Sequence, residues 1–485
     1  MYSAERSTKL KLPKTNACLL NVNDKRGIDD TPEQSGCESD CKRDFTHFYR
    51  IKETKKMKKL KVALIGAGNR GIGYTDIMGE MPQKYEIAAV AEPVASRRDY
   101  IKKKHNLPSD MCFDSWNALF EKGKIADVVI IATMDRQHFE PVMKAIELGY
   151  DILLEKPISP IPYECQRIAK AAQLKNVKIV VCHVLRYSDI FTALKKLIDD
   201  GTIGKIISVN HEECVGNEHY SHSFVRGNWG NSKKSSFMLL QKSCHDMDIL
   251  QWLIGKRCKK LQSFGSLNYF RAENSPEGSP EYCIEGCPAS KRCPYDAVRL
   301  YLNNPDEDWA KWFRTTSTKK VDPTDEDVKK AISTTQYGKC VFKCDNDVVD
   351  HQTVNMLFED DITVTFTMNA YNKGGRFIHI MGTKGEIRAA TEDDTPITIY
   401  NFETKQTTEI QVKGKDGVTG GHAGGDNGIV ATLYDYLTGT YEGNAISEIG
   451  VSCDNHLMVF AAEESRLRGG AMLDMEEFKK ELTQM

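Results

Sequence analysis

Leu60-Lys61-Val62-Ala63-Leu64-Ile65 runs directly into Gly66-Ala67-Gly68-Asn69-Arg70-Gly71. The aliphatic run lacks strong alternation, as expected for a strand buried on both faces of a parallel sheet. In the glycine segment, Gly66 permits a tight turn, Gly68 lets backbone approach a pyrophosphate, and Gly71 allows close helix packing. The following helix start offers unpaired N–H donors to phosphates. A second apolar run, Ile87 to Ala91, ends in Glu92, about 20 residues beyond the motif, where a carboxylate accepts from ribose hydroxyls. That combination reads as a dinucleotide site preferring NAD. NADP is the alternative, since Arg97 and Arg98 are a potential 2′-phosphate partner, although their lysine-rich stretch reads more simply as solvated helix surface.

The same beat continues. Apolar runs at Val128 to Ala132, Ile152 to Leu154 and Ile179 to Cys182 alternate with helical patterns at Ala95 to His105, Phe139 to Leu148 and Tyr163 to Leu174. The spacing predicts a doubly wound parallel sheet, a Rossmann domain over residues 57–187. Ligands bind beyond the carboxyl ends of such strands, which singles out Glu92, Thr133 to Asp135, Glu155 to Pro157, and His183 to Tyr187.

In order and spacing, GAGNRG, Ala132-Thr133 with His138, Glu155-Lys156-Pro157, Arg186 within VLRY, and Ile203 to Ile206 resemble the Gfo/Idh/MocA oxidoreductase family. Ser243-Cys244-His245-Asp246-Met247-Asp248 resembles its histidine motif. The resemblance spans roughly Met57 to the C-terminus. It implies a Rossmann domain followed by a C-terminal α/β domain with an open-faced, mainly antiparallel sheet, in dimers or tetramers. Family members mostly oxidise or reduce sugars, inositols and related polyols.

Carried over by position, the resemblance assigns Gly66, Gly68, Asn69, Arg70 and Gly71 to the pyrophosphate and Glu92 to the adenosine ribose. Thr133 and His138 would face the middle of the cofactor, with Glu155 and Arg186 among the cofactor residues. Lys156 would sit near the nicotinamide and substrate hydroxyl, and His245 would be its acid/base partner. Many relatives carry an aspartate four residues before that histidine; this chain has Gln241, then Lys242. Lys242, Asp246 or Asp248 are the candidates to compensate, and Asp248 equally suits a pair within its helix.

Oxidising a secondary alcohol requires a base for the hydroxyl proton and a cation near the developing alkoxide. An imidazole ordinarily titrates near neutrality, so His245 suits the first task, and Lys156 the second or both.

A second domain, 188–485, begins after Tyr187. Phe191 to Asp200 reads as a helix closed by Gly201, and Ile203 to Cys214 as the first strand of a new sheet. The polar, aromatic stretch through His219, Tyr220, His222, Arg226, Asn228 and Trp229 reads as a loop, and loops often carry function. Tyr220 or Trp229 is expected to stack on a sugar face while Arg226 and Asn228 bind hydroxyls or a carboxylate; an ordered surface loop is the plain alternative. His422, with Asp426, is placed to reach the same site. Runs at Val354 to Glu359, Ile362 to Met368 and Phe377 to Gly382, with the short turn Glu359-Asp360-Asp361, predict antiparallel hairpins. A half-exposed sheet needs a partner, hence a homo-oligomer.

An insertion, 271–345, is rich in charge, proline and aromatics. Cys283, Cys287 and Cys293 are separated by three and five residues, and Cys340 and Cys344 by three. Paired thiols at short spacing build structural zinc sites, but the common two-residue pair is absent, so reduced thiols without metal are the preferred reading.

Across 485 residues the net charge is −2, with mixed signs, which argues against nucleic-acid or membrane roles. Fifteen scattered cysteines are easier to keep reduced than to pair, as in the cytoplasm. Residues 1–56 lack periodicity and a signal-peptide pattern and are expected to be disordered. The leading expectation is therefore an NAD-dependent dehydrogenase of a sugar, cyclitol or sugar acid. A glycoside-cleaving or isomerising enzyme using transient oxidation, and a dinucleotide-binding sensor without turnover, are the alternatives.

Overall fold

Every residue of Val128–Ile131 is buried, and Leu60–Ile65 exposes only Lys61, because both strands are covered on two faces. They form the centre of a six-stranded sheet. The computed structural model describes residues 58–391, 395–412 and 424–484 of the chain, and the expectations for residues 1–56 and His422 lie outside that range.

The sheet comprises β1 (Leu60–Ile65), β2 (Tyr85–Ala91), β3 (Cys112–Phe113), β4 (Val128–Ile131), β5 (Asp151–Leu154) and β6 (Ile179–Val181), ordered β3-β2-β1-β4-β5-β6. All its pairings are parallel. Helices Ala95–Lys104, Phe139–Leu148 and Pro162–Lys175 supply crossovers where the helical patterns predicted them, and Asn69–Gly79 is the helix opened by the glycine segment. Strand order reverses between β1 and β4, so a crevice opens beyond their carboxyl ends, where such folds bind ligands.

The second sheet has nine strands: β7 (Ile206–Cys214), β8 (Cys258–Ser266), β9 (His351–Phe358), β10 (Thr363–Asn369), β11 (Gly375–Gly382), β12 (Gly385–Ala390), β13 (Ile397–Asn401), β14 (Thr407–Ile410) and β15 (Leu473–Asp474). Their order is β14-β13-β12-β11-β7-β10-β9-β8-β15. Pairing is antiparallel throughout except between β7 and β10. Period-two burial in β9 and β10 leaves one face in the core, beneath helices that include Cys244–Ile254 and Ile449–Leu467. The opposite face exposes Ile207, Phe264 and Phe377.

The insertion contributes elements that aliphatic periodicity did not disclose. Helices Ala297–Leu302, Glu307–Thr318 and Asp325–Thr334 close a small core of Cys283, Ala297, Leu300, Tyr301, Phe313, Val328, Ile332 and Tyr337. This corrects the reading of residues 219–229 as an open loop. Asn217–Tyr220 is a helical turn continuing into the wider turn Ser221–Arg226, and every residue of the latter is buried. His222 stacks on Tyr337 and Phe313 at ring separations of 5.3 and 4.4 Å. Polar sequence was a poor guide here because the insertion's aromatic helices fold back over it.

Candidate active site

The glycine segment has the shape its sequence implies. Gly66 turns at φ +90°, and a Cβ there would stand 2.6 Å from the Ala132 carbonyl oxygen at the end of β4. At Gly71 a Cβ would collide with the Gly66 carbonyl, whereas at Gly68 it would meet open space. The close positions knit turn, helix and β4 together. The open one leaves backbone accessible from the crevice at the first turn of Asn69–Gly79, where a pyrophosphate fits. Glu92 is buried at the end of β2 and accepts from Ala67 N (2.7 Å) and Val94 N (2.9 Å), fixing the turn beside the expected ribose position. Asn69 Nδ2 donates to Thr316 Oγ1 of the insertion at 3.2 Å, so a helix of the second domain reaches the mouth of this cradle.

Arg70 departs from its expected place on the pyrophosphate. Its Nε donates to Glu155 Oε1 (2.7 Å), NH1 and NH2 grip Asp426 (3.0 and 2.6 Å), and NH2 also donates to Tyr74 OH. Tyr74 OH in turn donates to the same Glu155 oxygen at 2.8 Å. Two buried carboxylates capture the guanidinium. Burial pushes the Glu155 carboxyl up, but Arg70 and the ammonium of Lys156 outweigh it and hold the group below its usual range. Glu155 therefore orients the turn carrying Lys156, whose own N–H donates to Glu155 Oε2 at 2.9 Å. Tyr74, missed in the sequence, has one signal there: it lies four residues after Arg70 on the same helix face.

His138 is fully buried, its ring nitrogens 2.8 Å from Pro157 O and 3.1 Å from Thr133 O. It braces the Thr133 turn against the Lys156 turn and does not line the crevice; carbonyls on both sides leave it no free edge. Thr133 Oγ1 bonds Gln137 O at 3.1 Å, closing its own turn, while its backbone lies beside Gly66. Asp135 Oδ2 accepts from Ser235 Oγ and Ser236 Oγ, both at 2.8 Å, which ties the β4 loop to the second domain.

Lys156, partly exposed after β5, donates its ammonium to Gln241 O at 2.7 Å and Gln241 Oε1 at 3.4 Å. His245 follows one turn later, at the start of Cys244–Ile254, and is 5 % exposed. Its ring meets His183, just past β6, edge-on at 5.7 Å. The Lys156 side chain thus reaches the segment that leads into His245, with Gln241 at the position where many relatives carry an aspartate.

Arg186, expected among the cofactor residues, and Asp248, a candidate for the site as substrate residue or compensating carboxylate, instead bind each other. Arg186 Nε and NH2 reach the two oxygens of Asp248 at 2.6 Å each, and Asn455 Nδ2 adds a third bond at 2.5 Å. Both are sealed from solvent, since a bidentate pair satisfies each charge internally. Replacing Asp248 by alanine is expected to cost about 3–5 kcal/mol of stability, because it strands a buried guanidinium. Urea unfolding measures that loss.

Tyr220 and Arg226 are corrected as well. Tyr220 OH donates to Val349 O at 3.0 Å, and Arg226 donates to Lys339 O and Tyr295 O at 2.7 Å each and to Cys283 Sγ at 3.5 Å. Both are buried: Arg226 is a strut to the insertion, whereas Tyr220 ties its turn to the segment leading into β9. Trp229 is half-buried and packs near Phe224, with ring centroids 6.3 Å apart. Cys283, Cys287, Cys293, Cys340 and Cys344 are free thiols, and among the described residues no group of three or more histidine, cysteine or carboxylate side chains is placed to hold a metal. No helix among the described residues is long and apolar enough to cross a membrane.

Beside the lysine lies a buried charge network. Lys242 Nζ is 3.4 Å from Glu213 Oε1, Arg376 bonds Glu213, and Arg376 Nε and His211 Nε2 each reach Asp246 Oδ1 at 2.8 Å. Burial raises the Asp246 carboxyl, but Arg376 and His211 outweigh it and hold it down to about 2. Asp246, one of the compensating candidates, therefore neutralises Arg376, while Lys242 approaches the lysine end of the cleft.

The sequence matches the Gfo/Idh/MocA descriptions "Oxidoreductase family, NAD-binding Rossmann fold" over residues 60–183 and "Oxidoreductase family, C-terminal alpha/beta domain" over residues 195–444. It is 24 % identical over 401 residues to YteT of Bacillus subtilis (strain 168), provisionally named an oxidoreductase, covering 76 % of this chain and 88 % of that one. A 2,7-anhydro-N-acetylneuraminate hydratase of Mediterraneibacter gnavus is 28 % identical over 199 residues (41 % of this chain, 50 % of the relative). An inositol 2-dehydrogenase of Corynebacterium glutamicum (strain R) is 26 % identical over 208 residues (42 % and 57 %), so these two matches span only about half of each relative. An Agrobacterium radiobacter oxidoreductase solved with NAD+, L-tartaric acid and magnesium shares the fold at TM-score 0.62 and 15 % identity, over 87 % of this chain and 99 % of that one. With both domains matched and the glycine cradle fitted to a dinucleotide, this chain belongs to the Gfo/Idh/MocA family of NAD-binding oxidoreductases.

Proposed function

We propose that this protein is an NAD-dependent dehydrogenase acting on a secondary alcohol of a sugar, cyclitol or related polyol. The observation that carries this reading is the Lys156 ammonium just past β5, held by Gln241 one turn before His245. NAD bound along Gly66, Gly68, Asn69, Gly71, Glu92 and Thr133 would supply the hydride acceptor. Lys156 holds the substrate hydroxyl and stabilises negative charge growing on its oxygen; His245 takes its proton. Arg70, Glu155 and His138 serve the site indirectly, by fixing the turns that carry Lys156 and the glycines. The inositol 2-dehydrogenase relative supports the substrate class.

A second reading, transient oxidation with NAD returned unchanged, is favoured by the hydratase relative. A panel of polyols and sugars with NAD and NADP, followed by absorbance of reduced cofactor and by product analysis, separates the two. Dehydrogenation accumulates NADH in step with ketone; transient oxidation gives product without NADH. Cofactor binding with neither product would leave a sensor.

We further place the domain divide at Tyr187/Ser188, propose a homo-oligomer joined through the exposed sheet face bearing Ile207, Phe264 and Phe377, and assign the chain to the cytoplasm because the cysteines among the described residues are free thiols.

A further inference from the structure

From Gln241 to Leu250 every residue is buried except Lys242. Its side chain keeps 19 % of its exposure, and Lys156, across the cleft, is also partly open. Two ammoniums thus line a surface whose other nearby groups are shut in. Their counter-charges are meagre. Lys156 donates to two uncharged oxygens of Gln241. Lys242 has Glu213 at 3.4 Å, a carboxylate already engaged by Arg376. Asp246 is taken by Arg376 and His211. Among the described residues, the cations Lys156, Lys242 and Arg376 are set against Glu213 and Asp246, with Glu155 acting on Lys156 while held by Arg70. Glu155 lies behind the lysine turn, bound to Arg70 and Tyr74.

Burial, then Arg376 and Lys156, depress the Lys242 ammonium against the pull of Glu213. An arriving anion would relieve that repulsion and give Lys242 a charge-assisted hydrogen bond that Glu213 alone supplies poorly. A neutral polyol offers no such gain. The uncharged Gln241 between the lysines also leaves an anion unopposed.

We propose that the cleft selects a polyol carrying a carboxylate, an aldonic or uronic acid, and that Lys242 binds that carboxylate while Lys156 holds the reacting hydroxyl. This rests on the dehydrogenase reading above and narrows its substrate class.

The test is calorimetric binding to the full-length enzyme saturated with NADH, using matched pairs: gluconate against glucitol, glucuronate against glucose, and further aldonates and uronates with their neutral counterparts. At least one acid is expected to bind about tenfold or more tightly than its neutral partner, with the advantage shrinking as salt rises. Lys242→Gln should bring the acid-to-neutral ratio to near one, and Lys242→Arg should retain most of it; NADH affinity and melting temperature of each variant report folding. Neutral partners binding as well as the acids, no acid binding at all, or an acid preference that survives in folded Lys242→Gln would overturn the proposal. Acids that bind through Lys242 but yield neither NADH nor product would instead overturn the dehydrogenase reading.

Discussion

Lys156→Ala is expected to lower turnover by about two to four orders of magnitude while NAD affinity stays within a few-fold. On the rate scale that is about 3–5 kcal/mol of transition-state stabilisation, the size expected when a charged donor is removed from beside a developing alkoxide. The structure isolates this effect, because the Lys156 side chain reaches toward the second domain and Gln241, whereas the glycine turn is held by Glu92 and by its packing against Ala132. The Glu155 clamp on Arg70 also remains. Stopped-flow turnover together with fluorescence titration of NADH checks both halves. Unchanged turnover would remove the lysine from the chemistry; lost NADH binding would make it a cofactor residue.

Mild acid is expected to unfold the protein well before its carboxylates titrate. Three imidazoles are sealed inside the fold: burial, chiefly, holds His183 down to about 4 and His222 and His456 down to about 3. In the unfolded chain each takes up a proton near 6.5. As pH falls through that value the unfolded chain gains protons that the fold refuses, so stability is full above about 6.5 and drains away toward the folded values. One pKa unit is worth about 1.4 kcal/mol, so His183 alone removes roughly 3 kcal/mol by pH 4. The three together approach the roughly 5–15 kcal/mol total of a typical domain. Asp246 acts in a different window: its contribution is present above its unfolded value and is lost only as pH falls toward about 2. Melting temperature followed from pH 7.5 to 4 should therefore fall steeply below 6.5, and His222→Phe, where the ring already stacks among Phe313, Trp312 and Tyr337, should make the fall shallower. A flat profile between 6.5 and 5 would contradict the picture.

The amino-acid sequence alone determined the parallel sheet, its crossover helices and the turns bearing Gly66 and Lys156. Local physics sufficed there: a doubly covered strand needs an unbroken aliphatic run, and a turn against neighbouring backbone needs glycine. It also singled out His245 as the candidate base, because its motif is contiguous. Where charged residues point is different, since electrostatic partners come from anywhere in the chain. Arg70 looked like a phosphate ligand until Asp426, far along the sequence, supplied a second carboxylate. Arg186 and Asp248 looked like site residues until folding set them face to face. Arg226 became a strut because the insertion folded back and supplied carbonyl and thiol partners, and Tyr220 was drawn from water by Phe224, Phe270 and the Val349 carbonyl. Tertiary structure decided these roles because burying a charge or a hydroxyl requires a partner, and which partner arrives depends on how the two sheets and the insertion pack.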